Sequence, residues 1–196
     1  MNIERIVVGP LQTNAYIVAD PATKRALVID PGDEAEKIRA VVSRQGLQVD
    51  AVLLTHGHWD HIGAKDAFSV PVYIHPADAT MLDSDTSKAK PRAKNQPTGA
   101  SLRFLNDEAS FDLGGFLMRV IHTPGHSPGS VCLLIDTVLL SGDTLFCHGV
   151  GRTDLPGGSA RQMEQSLHTL FSTLDGAVRV LPGHGPETTI AAEREP

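Results

Sequence analysis

Cysteine is nearly absent: Cys132 and Cys147 are the only two in 196 residues. Two thiols cannot build a disulfide scaffold, and both sit in or beside apolar segments, so free packed thiols are expected. No apolar run reaches membrane-spanning length, and no basic leader precedes an apolar segment. A cytoplasmic location with no membrane partner is the expectation. Basic charge is scarce as well, with 17 Lys and Arg against 23 Asp and Glu and a formal net charge of -6. Without a basic stripe or interleaved aromatics, nucleic acid is not the expected partner. What is present, 41% hydrophobic and 20% charged residues, suits one globular domain over residues 1–196. A chain of this length buries roughly 70% of its extended surface without staples.

Short apolar or β-branched runs between turn residues predict strands at Ile3–Val8, Thr13–Val18 and Arg25–Ile29. Asp30-Pro31-Gly32 ends the third. Asp33 and Glu36 have capping-box spacing ahead of a helical face of Ile38, Val41 and Val42, which stops at Gly46. Further strands are predicted at Val49–Leu54 and Pro71–Ile74, with helices near Ile62–Phe68 and over Ala77–Leu82. The polar stretch 83–99, containing two prolines, reads as a long loop or flap. In the second half, strands are expected at Phe116–Ile121, Ser130–Ile135, Thr137–Leu140 and Ala177–Leu181. Ser159 and Gln162 again have capping-box spacing, before Met163, Leu167, Leu170, Phe171 and Leu174 on one helical face. Meanders followed by helix-bearing segments suggest two mixed sheets with helices outside, their polar loops gathered at one rim.

The densest chemistry follows the predicted strand 49–54: His56-x-His58-x-Asp60-His61. Imidazoles and a carboxylate suit zinc, iron or manganese, and alternate residues of an extended segment face together. His126, Asp143 and His184 each follow another predicted strand. Five histidines and two aspartates thereby collect at strand ends. They divide naturally into His56, His58 and His126 for one ion and Asp60, His61 and His184 for another, with Asp143 bridging. Asp60 is also placed to orient or shuttle a proton, secondary to its role as ligand. Asp30, ending a strand, is positioned to accept a proton from a ligating imidazole's other nitrogen. Thr55 and Thr123 can hydrogen-bond the ligand loops, and His122 can orient the turn carrying His126. His75, His148 and His168 fall outside the set. Arg152 and Asp154 read as braces of their loop.

The segments THGHWDH at 55–61, TPGHSPGS at 123–130, SGDTLF at 141–146, GRTDLPGG at 151–158 and LPGHG at 181–185 carry a resemblance. With Asp30-Pro31-Gly32 they resemble the metallo-β-lactamase-fold hydrolases, especially compact relatives of glyoxalase II, the hydroxyacylglutathione hydrolases. That resemblance implies an α/β fold, an αββα sandwich with two mixed sheets flanked by helices. It implies two divalent metal ions on the seven residues above, zinc foremost, with iron and manganese as alternatives. Glyoxalase II resembles this chain followed by a helical extension that binds glutathione, for which no room is expected after His184. The Gly-Arg-Thr-Asp segment also resembles sulfur dioxygenases of the same fold, which use one iron.

The leading expectation is a hydrolase of a small thioester, S-2-hydroxyacyl-glutathione among them, using water activated on the metals. The alternatives are a mononuclear iron sulfur dioxygenase acting on glutathione persulfide, a lactone hydrolase, and a non-enzymatic metal-binding interaction module. The partner is a small-molecule substrate, and monomer and homodimer are both open.

Overall fold

The computed structural model describes residues 1–82, 101–107 and 110–194. The expected loop at 83–99 lies outside the described residues. One sheet has six strands in the order of the chain: β1 (Asn2–Val8), β2 (Thr13–Ala19), β3 (Arg25–Ile29), β4 (Gln48–Leu53), β5 (Val72–Ile74) and β6 (Leu102–Phe104). The first three run antiparallel, and β3 to β6 pair in parallel. The other sheet is ordered β14-β13-β10-β9-β8-β7 and uses β7 (Ser110–Leu113), β8 (Phe116–His122), β9 (Val131–Ile135), β10 (Val138–Gly142), β13 (Arg179–Pro182) and β14 (Thr188–Thr189). A hairpin of β11 (Leu145–Phe146) and β12 (Gly149–Val150) stands apart.

Strand alternation sorts the apolar residues into layers, because successive side chains leave opposite faces. Tyr16, Val18, Leu27, Ile29 and Leu53 of the first sheet meet Val131, Leu133, Ile135, Leu140 and Leu181 of the second in the central core. The intervening residues Ala15, Ile17, Val28 and Val52 face outward onto Ile38 and Val41 of α1 (Ala35–Gln45). Cys132, Leu139 and Val180 likewise face Leu170 of α3 (Ala160–Thr173). The result is the αββα sandwich, two mixed sheets flanked by helices. With both faces covered, β2 has seven buried residues in a row. Both cysteines are free. Among the described residues, no helix is long and apolar enough to cross a membrane.

Several local expectations need correcting. Asp33 and Glu36 form no capping box: Glu34 precedes α1 in a left-handed conformation (φ 48°) without a side-chain cap. Asp33 instead accepts from the Glu34 N–H, and Glu34 reaches across to the Gly9 N–H. The second site keeps half of its box: Ser159 Oγ accepts from the Gln162 N–H, while the Ser159 N–H donates to the Gly125 carbonyl rather than to the Gln162 side chain. The helix expected near 62–68 is α2 (Trp59–Ile62), which starts earlier and stops after four residues. Asp60 and His61 therefore occupy a helical turn rather than the loop before it. Residues 76–82 form a 3-10 helix (Pro76–Leu82). The short elements β6, β7, β11, β12, β14 and α4 (Ile190–Arg194) were not expected.

Parallel pairing decides where the chemistry goes. β3 and β4 run the same way, so Asp30 and the His56 loop leave at one rim. β10 and β13 are parallel, and β8 has the same sense through two antiparallel steps across β9. The loops bearing His126, Asp143 and His184 therefore emerge together.

Candidate metal centre

All seven predicted donors converge at this rim. The ligand atoms of His56, His58 and His126 lie within 4.8 Å of one another, as do those of Asp60, His61 and His184. Asp143 stands between the groups: Oδ1 is 3.4 Å from His61 Nε2, and Oδ2 is 3.5 Å from both His126 Nε2 and His184 Nε2. Gly183 makes this approach feasible, since a Cβ there would lie 2.2 Å from Asp143 Oδ1 and 2.7 Å from His61 Cε1.

Four rings are anchored from behind. His61 Nδ1 donates to Asp30 Oδ2 at 3.0 Å, His126 Nδ1 to the Arg152 carbonyl at 2.7 Å, and His184 Nδ1 to the Leu11 carbonyl at 3.1 Å. Thr55 Oγ spends its proton on Asp30 Oδ2, so at 3.1 Å it accepts from His56 Nδ1. In the neutral rings each Nε2 then carries a lone pair directed inward. His58 differs, presenting Nδ1 to His126 Nε2 at 2.8 Å. His56 Nε2 and Asp143 Oδ1 are buried without any hydrogen-bond partner. Unpaired buried acceptors are costly, and a cation placed among converging acceptors relieves that cost. The residues present therefore fit divalent metal: nitrogen and oxygen donors, no thiolate, and hydrogen-bonded outer nitrogens.

The field is divided. Burial together with neighbouring His61 and His126 holds the His56 imidazole well below its ordinary range. Burial and His126 lower His58 to about 4. Burial also disfavours a charged His61, but the Asp143, Asp30 and Asp60 carboxylates outweigh it and hold that ring up at about 9. Burial is likewise overcome at His184, which Asp60 and Asp143 raise. Asp60 itself falls below the usual carboxylate range: burial opposes this, yet the His184 hydrogen bond and the charges of His61 and His184 prevail. One half thus favours protonated rings beside ionised carboxylates, the other neutral rings.

Asp30 sits where the sequence placed it, also accepting from the Thr55 N–H at 2.8 Å. Thr123 Oγ contacts Thr144 Oγ beside Asp143, and His122 reaches the Pro128 carbonyl in the His126 loop. His122 stacks on His75 away from the centre, and His148 and His168 are exposed. Arg152 and Asp154 pair as expected. Sequence reasoning missed the supports made by backbone, the Arg152 and Leu11 carbonyls. It also missed Thr13, whose hydroxyl donates to Asp60 Oδ2 at 3.1 Å. A carbonyl leaves no signature in residue identity, and Thr13 opens a strand far from every motif.

A two-sheet sandwich with this cluster at one rim is the architecture of metal-binding hydrolases. Residues 8–184 match the family model of the metallo-beta-lactamase superfamily, and the chain belongs to that superfamily as a metal-dependent hydrolase. It is 35% identical to the hydroxyacylglutathione hydrolase GloC of Haemophilus influenzae, over 99% of this chain and 95% of that protein. Among solved structures, the BLEG-1 B3 metallo-beta-lactamase is 39% identical with a TM-score of 0.88, covering 99% of this chain and 97% of its own. A di-iron-bound form of TTHA1623 is also 39% identical, with a TM-score of 0.84 over 98% of this chain and 97% of its own.

Proposed function

We propose that the chain hydrolyses a small thioester, an S-2-hydroxyacyl-glutathione foremost, on two divalent ions. His56, His58 and His126 hold one ion, Asp60, His61 and His184 the other, and Asp143 is shared. The outward anchoring of four rings carries this reading, because it leaves inward lone pairs and a partnerless Asp143 oxygen that a divalent cation satisfies. The activity named for the Haemophilus relative and the two irons of TTHA1623 support it. Zinc is the leading ion, and iron and manganese suit the same donors. When bound, such a pair supplies Lewis acidity toward a carbonyl and brings the pKa of water toward neutrality. The chain's part is rigidity: Asp30, Leu11 and Arg152 fix ring tautomers, so no donor reorients as charge develops on the substrate. Asp60, tied to Thr13 and ionised at neutral pH, orients as an anion and gives up no proton. Water adds to the acyl carbon, the carbon–sulfur bond breaks, one proton of the water ends on the departing sulfur and the other passes to solvent, so that a carboxylate, a thiol and a proton leave.

The test is anaerobic thiol release from S-lactoylglutathione by the metal-loaded protein, with metal content measured alongside. Wild type should turn over, and Asp60→Ala with His61→Ala should lose one ion and most turnover. Normal turnover and full metal in the double variant refute the assignment. A second reading rests on the two-histidine, one-carboxylate group Asp60, His61 and His184, a set that also serves iron oxygenases. Oxygen uptake with glutathione persulfide and no anaerobic thiol release selects that reading. Turnover of a lactone or a β-lactam in place of the thioester corrects the substrate class. Metal binding without turnover of any of these selects an interaction module.

A further inference from the structure

Asp78 is a carboxylate with no solvent exposure, on a 3-10 helix that contributes no metal donor. Oδ2 accepts from the Gly57 N–H at 2.9 Å and from Ser127 Oγ at 2.6 Å, and Oδ1 accepts from the Gly129 N–H at 2.6 Å. Gly57 lies between His56 and His58, and Ser127 directly follows His126. One buried carboxylate therefore grips the two segments that bear His56, His58 and His126, and those segments leave different sheets. The contact is flush on both sides. A Cβ at Gly129 would stand 2.7 Å from Asp78 Cγ, and one at Gly57 would stand 2.7 Å from Met81 Cβ. Ser127 is itself steadied by Ser130 Oγ at 2.7 Å.

We infer that Asp78 is a positioning residue, setting the separation between the His56–His58 segment and the His126 loop and hence the affinity of the ion these rings hold. This rests on the proposed centre. An ionised acceptor makes each bond roughly twice as strong as a neutral one. The donors are two backbone N–H groups, which cannot reverse, and one hydroxyl, which can. An asparagine at 78 turns one edge of the acceptor into N–H, which then opposes the Gly57 or the Gly129 amide. One strut is lost and the other kept, so the two segments drift apart without a void opening.

The experiment compares wild type, Asp78→Asn, Ser127→Ala and Val178→Ala by chelator-competition titration with zinc, cobalt(II) absorption spectra and urea unfolding of metal-free protein. Val178, buried on the outer face of the second sheet, is the stability control. Asp78→Asn should weaken one of two ions by about ten- to a hundredfold, the range for partners that orient ligands, with an altered cobalt spectrum. Ser127→Ala should weaken the same ion several-fold, and it carries the test if Asp78→Asn does not fold. Val178→Ala should lose stability and keep both affinities. Wild type that binds two ions, with affinities that Asp78→Asn and Ser127→Ala leave unchanged, overturns the role of Asp78 alone. Wild type that binds no ion, or binds both equally after His58→Ala, overturns the centre itself.

Discussion

Asp30→Asn tests the tautomer logic with the least disturbance. Asp30 has φ 47°, a left-handed conformation that Asn tolerates better than most residues, so the backbone has no reason to move. The Thr55 N–H can only donate, which fixes the Asn oxygen where Oδ1 now stands. The Asn amide then occupies the place of Oδ2 and points N–H at Thr55 Oγ and at His61 Nδ1. His61 is forced to carry its proton on Nε2, toward Asp60 and Asp143 and into the centre. For Nε2 to bind metal the variant must restore the other tautomer without the charge-assisted bond that Asp30 gives His61 in wild type, a loss of about 1.5–3 kcal/mol. At 1.36 kcal/mol per factor of ten this is about ten- to a hundredfold in metal affinity. Chelator competition reads that loss, and urea unfolding of the metal-free variant should show an unchanged slope and a modest change in midpoint. A folded Asp30→Asn protein whose affinity for both ions lies within about twofold of wild type, against the fold-change expected of such partners, refutes the reasoning.

Three further outcomes follow from the same geometry. Metal uptake at pH 7 should release protons, because the carboxylates hold His61 up at about 9 and also raise His184, whereas His56 and His58 are already neutral. Release should fade as pH rises through about 9, and calorimetry in buffers of different ionisation enthalpy that finds no exchange at pH 7 contradicts it. In the metal-free protein the same raised pKa stabilises the fold fully below the ordinary histidine value of 6.5, and that contribution is lost as pH rises through about 9. Gly183→Ala should drive its methyl into Asp143 and His61, costing about 1–3 kcal/mol of stability and emptying at least one position. Elemental analysis finding two ions in that variant goes against the described packing.

The cluster was legible because imidazoles and carboxylates collect just after apolar runs, and each run proved to be a strand whose loop leaves at one rim, through parallel pairing of β3 with β4 and of β10 with β13 and through two antiparallel steps for β8. Ser159 announced its cap for the same reason, with its partner three residues on. Asp33 misled because the identical spacing competes with a tertiary alternative: Glu34 turns to the Gly9 amide, and the helix begins without a box. The edge strands β6, β7 and β14 were missed because two to four residues give too little periodicity to read. Asp78 gave no sign at all. Its three partners lie 21, 49 and 51 positions away and two of them are backbone amides, a relation that exists only once both sheets are in place.

The interleaved residues between the sheets have a consequence for how the protein meets its ions. Among the described residues, sixteen buried ones bind the two leaves into a common interior that owes nothing to the rim. Small zinc domains collapse when stripped, since coordination is their folding energy; here the empty chain should stay assembled and refillable. Which element fills the cleft should then follow supply and exchange in the surroundings, and one batch of polypeptide should be able to carry different ions over its lifetime.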